Sequence, residues 1–506
     1  MKLAKKPLKI ALVPIDSRPI TYSFPQQVAA LAGLDVIAPP LEMMGNLEVY
    51  ANCEALLDWL EECLRRFKPD ALVVCLDSLL YGGLVASRCS LDALSEIQKR
   101  MKRVSRWKTL SGGKTQIFAQ SSIMRIPHYN TSRTEPPYWL EHGEQIFEWS
   151  VLKHKQDLKG GVVDADIGPL EAQIPKQALD DFLARRERNF QINQALIELA
   201  VLKEIDYLVF SQDDTSEYGL NVLEKSGLVA QAEASGAGNV IAYAGTDETI
   251  LVLMSRWLVG TFTKLPQVSI NFSPPGGASV RSKFEGQMIG KSVSAVAYLV
   301  GLDANLAEPS NDDDMSVIIH APADWQGDHL GSQSTKRLDT SAAVRKTIKL
   351  LEESPSAVVL CDLVYANGAD PLLIDALLEK PQLLKKLCGF AGWNTTNNTV
   401  GSALAMGIAA WHARLNKIDW REDLKRLLFV RLADDWAYQA LVRREMDDQA
   451  SDASLQKLMT PFLDQLANAL EIDPHPVKLR LPWRRTFEVE VDLQQSLKTA
   501  NIGLER

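Results

Sequence analysis

"YLVFSQDDTSEYG" (residues 207–219) runs from an apolar stretch directly into two adjacent aspartates, Asp213 and Asp214. Tyr207 to Ser211 shows no polar alternation, so it reads as a strand buried on both faces. Strands of that kind belong to parallel sheets covered by helices. The same pattern recurs in "KIALVPID" (9–16), "ALVVCLDS" (71–78), "QIFAQSSIMR" (116–125), "VIAYAGTDE" (240–248), "VSINFSPPGG" (268–277), "SVIIHAPAD" (316–324), "AVVLCDLVYANG" (357–368) and "CGFAGWNTTNN" (388–398). Helix-like stretches such as "CEALLDWLEECLRRF" (53–67) and "FQINQALIELAVLKEI" (190–205) separate them. The expected class is α/β with a mostly parallel sheet. About nine runs lie near the eight strands of a (β/α)8-like barrel, which is the leading expectation. Two doubly wound sheets are the alternative.

Two regions break the rhythm. Residues 126–185 read as a long insertion, rich in Pro and aromatics near "PHYNTSRTEPPYW", that covers something. The expected organisation is an α/β catalytic domain over 1–405 and a helical C-terminal region over 406–506, ending in two short strands within "VKLRLPW" and "TFEVEVDL".

The chain has 506 residues, 55 Lys and Arg against 64 Asp and Glu, and a formal charge of −9. That balance argues against a nucleic-acid partner, because a phosphate backbone demands a basic face. No run approaches the roughly 18 apolar residues of a membrane span, so no membrane partner is expected. The N-terminal "MKLAKKPLKIALVPID" reads as a first strand and not as a signal peptide, since Pro14 interrupts it and no small-residue cleavage site precedes Asp16. The six cysteines form no CxxC pair, which suits a reducing cytoplasm. The seven histidines show no HExxH or HxH spacing, so no zinc site is expected. "LSGGKTQIF" lacks the first glycine of a phosphate loop and precedes a strand.

In parallel α/β folds ligands bind beyond the C-terminal ends of the strands. Those tips carry Asp16 and Arg18, Asp77 and the nearby Arg88, Arg125, Asp213 and Asp214, Asp247 and Glu248, Asp362 and Asn367, and Trp393 with Asn394. A loop of solvated charges would look the same at any single tip. As a set they suggest a polar pocket with Trp393 as a face for a sugar ring. Asp213 and Asp214 admit three readings: a helix cap with a first-turn acid, an acid–base pair of which one member keeps its proton, or ligands of a divalent cation. Arginines such as Arg18 and Arg88 suit a carboxylate or phosphate.

The stretches "VPIDSRP" (13–19), "DSLLYGGLVASR" (77–88), "SQDDTSEYG" (211–219), "GTDE" (245–248), "DLVYANGAD" (362–370) and "AGWNTTNNTVGSALA" (391–405) resemble the bacterial domain-of-unknown-function family numbered 4127. The resemblance extends over most of the chain. It implies a shared fold and a shared polar site, and brings no established reaction. A second similarity is to the O-GlcNAcase-like β-N-acetylglucosaminidases, which carry an adjacent aspartate pair after a fourth strand. That likeness implies that Asp213 orients an acetamido group, Asp214 acts as general acid/base, and Asn394 beside Trp393 meets sugar hydroxyls.

The expected function is a glycoside hydrolase with Asp213 and Asp214 as catalytic residues, 2-acetamido sugars being one candidate substrate. The alternatives are a divalent-metal-dependent hydrolase of a small anionic substrate and a carbohydrate-binding protein without catalysis. A small-molecule or oligosaccharide ligand is expected in each case, and a cofactor only in the second, as a divalent cation.

Overall fold

The computed structural model describes residues 6–159, 164–213, 215–302, 304–305, 315–330, 338–354, 357–447, 451–473 and 477–493. Fifteen strands form within them: β1 (Lys9–Val13), β2 (Asp35–Ile37), β3 (Ala71–Cys75), β4 (Gln116–Ile123), β5 (Tyr207–Gln212), β6 (Val240–Ala244), β7 (Val268–Ser273), β8 (Ala304–Asn305), β9 (Met315–His320), β10 (Gly327–Asp328), β11 (Ala357–Asp362), β12 (Tyr365–Ala366), β13 (Leu387–Ala391), β14 (Lys478–Arg480) and β15 (Glu490–Asp492). The first six make one parallel sheet in the order β2-β1-β3-β4-β5-β6. A second parallel sheet has the order β13-β11-β9-β7-β8. In both, the second strand lies on one side of the first and the later strands on the other. The second sheet thus repeats the doubly wound order of the first.

The barrel expectation is corrected by this topology. A closed barrel needs its edge strands to pair. Here β2 and β6 end one sheet, and β7 starts another by pairing with β8 and β9. The short strands β2 and β8 are absent from the nine expected runs, because two or three residues carry too little pattern to be seen.

Alternation along each strand builds the layers. Ile10, Leu12, Ala71, Val73, Tyr207 and Val209 face a core shared with the second sheet. Ala11, Val13, Leu72, Val74, Leu208 and Phe210 face a second core, under the helices Cys53–Phe67, Lys176–Val201 and Leu220–Ala234. Between the sheets lie Ser23–Leu31, Thr249–Gly260 and Thr396–Leu415, the second packed on β3 and β4 and the third on β11 and β13. The third helix comes unusually close to its sheet. A β-carbon at Gly407 would collide with Val359, and one at Gly389 with the Ala403 carbonyl.

The described residues of 126–185 are largely helical, with Trp139–Lys159 and Asp164–Glu171 preceding Lys176–Val201. Trp139, Ile146, Trp149, Ile167 and Phe182 give this segment its own small core. Thr396–Leu415 runs through the expected boundary at 405–406. After it come Arg421–Leu432, a π-helical turn over Ala433–Val442, Asp452–Leu470 and the antiparallel pair β14–β15. No helix among the described residues is long and apolar enough to cross a membrane.

Candidate functional site

The C-terminal edges of the two sheets meet. Thr215, after β5, donates its N–H to the Phe284 carbonyl (3.0 Å) in the loop after β7. Asn397, in the first turn of Thr396–Leu415, donates its side-chain amide to the Ala244 carbonyl at the end of β6. A charge cluster is built where these loops converge.

Its centre is Arg18, just after β1. Asp16 Oδ1 accepts from the Arg18 N–H (3.0 Å) and from Thr21 Oγ1 (2.5 Å), and its Oδ2 accepts from Arg18 Nε (2.9 Å). Arg18 Nη1 and Nη2 donate to Asp247 Oδ2 and Oδ1 at 3.0 and 2.5 Å. Glu488 Oε1 lies 4.0 Å from Arg18 Nε and has no hydrogen-bond partner. Burial pushes the Glu488 carboxyl up to about 8 although Arg18 opposes the shift. Burial likewise raises Asp247, again against Arg18. Burial weighs against Arg18's charge too, but the surrounding carboxylates outweigh it and hold its pKa above the ordinary value.

A second group of charges adjoins the first. Glu135 Oε1 accepts from Arg88 Nη1 (2.6 Å) and Arg125 Nε (2.8 Å). Asp213 Oδ2 accepts from Arg125 Nη1 at 3.1 Å, with Arg88 Nη2 at 3.7 Å. Burial works to raise Asp213, but Arg125, Arg88 and then Arg18 outweigh it and hold its carboxyl below the usual aspartate value. Asp213 is deeply set yet 30% of its side chain stays open, whereas those of Arg18, Arg88 and Glu135 are 5%, 4% and 4% exposed. Asp213 is therefore the most open of these carboxylates.

The facing wall comes from the second sheet. Lys283 Nζ lies 3.3 Å from Asp328 Oδ2, and Asn367 Nδ2 donates to Asp328 Oδ1 at 3.1 Å. The Asn367 N–H reaches the Asn394 carbonyl at 3.2 Å. Asn367 and Asn394 hold φ of +59° and +66°, the left-handed region that Asn tolerates better than most residues. The segment 483–488 closes the remaining side. Trp483 Nε1 donates to Ser17 Oγ (2.9 Å), and Phe487 meets Trp393 edge-on at 5.4 Å.

The fold thus brings Asp16, Arg18, Arg88, Arg125, Asp213 and Asp247 into one cluster and sets Asn367 and Asn394 across from it. Asp214 lies outside the described residues, as do the "NDDD" run at 311–314 and His475. Asp77 is enclosed: its carboxylate accepts the Ser122 N–H (2.9 Å) and its carbonyl takes the N–H groups of Tyr81, Gly82 and Gly83. Burial raises its pKa. Glu248 accepts from the Tyr243 hydroxyl (2.5 Å), and burial pushes it up to about 8. Asp362 accepts the Asp370 N–H (2.6 Å). Asp370 caps the helix Pro371–Leu378 and meets His320 Nε2 at 3.1 Å, so His320 is a satisfied core histidine. Trp393 is 1% exposed and offers no open face to a sugar ring, because Phe487 and the core enclose it.

Three members carried no legible signal. Glu135 stands in the covering segment, and Arg485 and Glu488 in the short strand region at the C-terminal end. In "TFEVEVDL" alternation alone would place Glu488 on a solvated face beside Glu490. Tertiary contact with Arg18 is what buries it. Among the described residues no group of three or more His, Cys, Asp or Glu side chains is arranged to hold a metal ion.

No curated protein and no solved structure matches the chain, so the similarity to the O-GlcNAcase-like enzymes gains no support there. A family model described as "Protein of unknown function (DUF4127)" matches residues 10–492, nearly the whole chain, and the chain therefore belongs to that family.

Proposed function

We propose that this chain hydrolyses glycosidic bonds in the cleft between the C-terminal edges of its two sheets. The observation that carries the reading is the unlike state of two carboxyl groups around Arg18. Asp213 lies 3.1 Å from Arg125 and 3.7 Å from Arg88, which hold its carboxyl below the usual aspartate value, whereas Glu488 is buried with an unpartnered oxygen and is pushed up to about 8. Environments that push two carboxyl pKa values apart assign a general acid and an anionic partner. Glycosidic cleavage needs both, one to protonate the leaving oxygen and one to stabilise or trap the oxocarbenium-like centre. In this reading Asp213, whose side chain is 30% open, faces the sugar, and Glu488, whose side chain is 2% exposed, gives the proton once the segment 483–488 shifts to admit the leaving oxygen. Asp16 and Asp247 fix Arg18, which lowers both carboxyls; burial of Glu488, against the pairing of Asp213 with Arg125 and Arg88, is what sets them apart. A preference for 2-acetamido sugars would rest on the O-GlcNAcase likeness alone.

The test is turnover on a panel of aryl glycosides, with and without chelator, using the wild type, Asp213→Asn and Glu488→Gln. Chelator-resistant hydrolysis that both variants lose supports the reading. Silence across the panel removes it. The second reading, a metal-dependent hydrolase of a small anionic substrate, is favoured by the three arginines Arg18, Arg88 and Arg125 at the site. It predicts turnover that chelator abolishes and added divalent cation restores.

A further inference from the structure

Among the described residues the closing segment holds a guanidinium with no carboxylate at ion-pair distance, although Glu488, Asp16 and Asp247 favour its charge from farther off. Arg485 stands over the rings of Trp483 and Phe487, 4.7 Å from each centroid. Arg443 and Arg18 approach the same Phe487 ring at 5.3 and 6.0 Å. Three cations therefore crowd one phenyl group. Arg18 is neutralised by Asp16 and Asp247. Arg443 donates to Gln439 Oε1 (2.7 Å). Among the described residues the Arg485 side chain makes no hydrogen bond and no ion pair, and its contacts are the two aromatic faces.

Cation–π contact with the two rings contributes about 0.5–2 kcal/mol and holds the side chain in place. Its N–H donors stay open to water and unoccupied by protein acceptors among the described residues, so an anion can take them. Burial, and after it the charge of Arg18, pull the Arg485 pKa down to about 10, which still leaves it charged at neutral pH. Glu488, Asp16 and Asp247 favour its charge from a distance, but none forms an ion pair with it. Arg485 is only partly buried, so a ligand in the cleft can reach it.

We propose that Arg485 binds an anionic group of the substrate, either a carboxylate or a phosphate, through the planar guanidinium fork. Taken with the glycosidase reading, on which this step rests, the substrate is an acidic glycoside. The Trp483 and Phe487 rings anchor the guanidinium, whose planar fork suits two parallel N–H···O bonds to one anion.

Calorimetric titration of the full chain with methyl glucuronide, glucose 6-phosphate and methyl glucoside tests this, alongside Arg485→Ala and Arg485→Lys, each checked for folding by thermal unfolding. The wild type is expected to bind at least one acidic sugar about tenfold or more tighter than the neutral one. Arg485→Ala removes that advantage, and Arg485→Lys restores part of it as a charge without a fork. Which acidic sugar responds distinguishes carboxylate from phosphate. If Arg485→Ala does not fold, the loss in Arg485→Lys decides. Equal binding of acidic and neutral sugars, no binding of any of the three, or an unchanged preference in the folded variants overturns the inference. Acidic-sugar binding through Arg485 with no turnover of any glycoside would remove the hydrolase reading and leave the anion site standing. Hydrolysis of neutral glycosides with no acidic preference would do the reverse.

Discussion

Arg18 and Asp247 stand 229 positions apart in the chain and meet through two hydrogen bonds of 3.0 and 2.5 Å, both side chains buried. The pair ties the loop after β1 to the loop after β6, so the tips of the first sheet are cross-linked above the intervening strands. Removing one partner strands a buried charge, and such breaks cost about 3–5 kcal/mol. Asp247→Ala is expected to lose stability on that scale in urea unfolding. A loss below about 1 kcal/mol would mean that Asp16 alone satisfies Arg18.

Asp213→Asn should separate chemistry from folding. Its carboxylate is the open member of the cluster, and Glu135 still pairs with both Arg88 and Arg125 when Asp213 loses its charge. Turnover is expected to fall about 10²–10⁴-fold while the far-UV spectrum and the melting transition stay near wild type. A variant with full activity would take Asp213 out of the chemistry.

The pH dependence of activity follows from the two carboxyl states. Glu488 is pushed up to about 8, so a proton donor at this position is lost as the pH rises through that value. Asp213 is held below the ordinary aspartate value and stays ionised throughout the neutral range. The kcat/KM profile should be flat below about pH 7 and decline around pH 8. Glu488→Gln should lower the rate and flatten that alkaline limb. An alkaline limb that persists unchanged in Glu488→Gln would assign it to another group.

How much of this was legible from the chain depends on whether the signal was local. Apolar runs such as "YLVFSQ" announce buried parallel strands because each residue in them meets a covered face. The residues just beyond them, from Asp16 to Asp247, are marked by position alone. Closure is a different matter: nothing in a single strand records which edge it pairs with, so a barrel and two sheets share one pattern until β7 is seen to turn away from β6. Trp393 misled for a related reason. An aromatic among polar residues looks like a platform, and only the arrival of Phe487 from the far end of the chain shows that its ring is enclosed. Glu488 and Arg485 acquire their character from burial against the start of the chain, as the Trp483–Ser17 bond across 466 positions illustrates.

Stability should fall as the pH rises from acid toward alkaline. Glu248 and Glu488 are both raised from 4.5 to about 8 by burial. Between those values the folded state holds protons that the unfolded state has released. Their contribution is therefore fully present below about pH 4.5 and is lost as the pH rises through 8. Each group accounts for at most about 1.4 kcal/mol per pH unit within that window. Melting temperatures measured from pH 5 to pH 9 should decline, and Glu248→Gln should flatten part of the slope. Asp213 works in the opposite sense, adding a loss only under strongly acid conditions. A melting temperature that rises from pH 5 to 9 would show these carboxyls to be ionised in the fold.

The two tryptophans at the site should behave differently. Trp393 is 1% exposed, so Trp393→Ala opens a cavity under Phe487 and should cost about 3–5 kcal/mol of stability. Trp483 is only partly buried, and its contacts are the Ser17 hydroxyl and the Arg18 and Arg485 guanidinium groups. Trp483→Ala removes one of the two faces that hold Arg485, so it should weaken binding of an acidic sugar by calorimetry with a smaller stability loss, about 1–2 kcal/mol. The contrast separates a residue that shapes the core from one that shapes the cleft. If Trp393→Ala left stability near wild type and abolished sugar binding, Trp393 and not Trp483 would be the aromatic wall of the site.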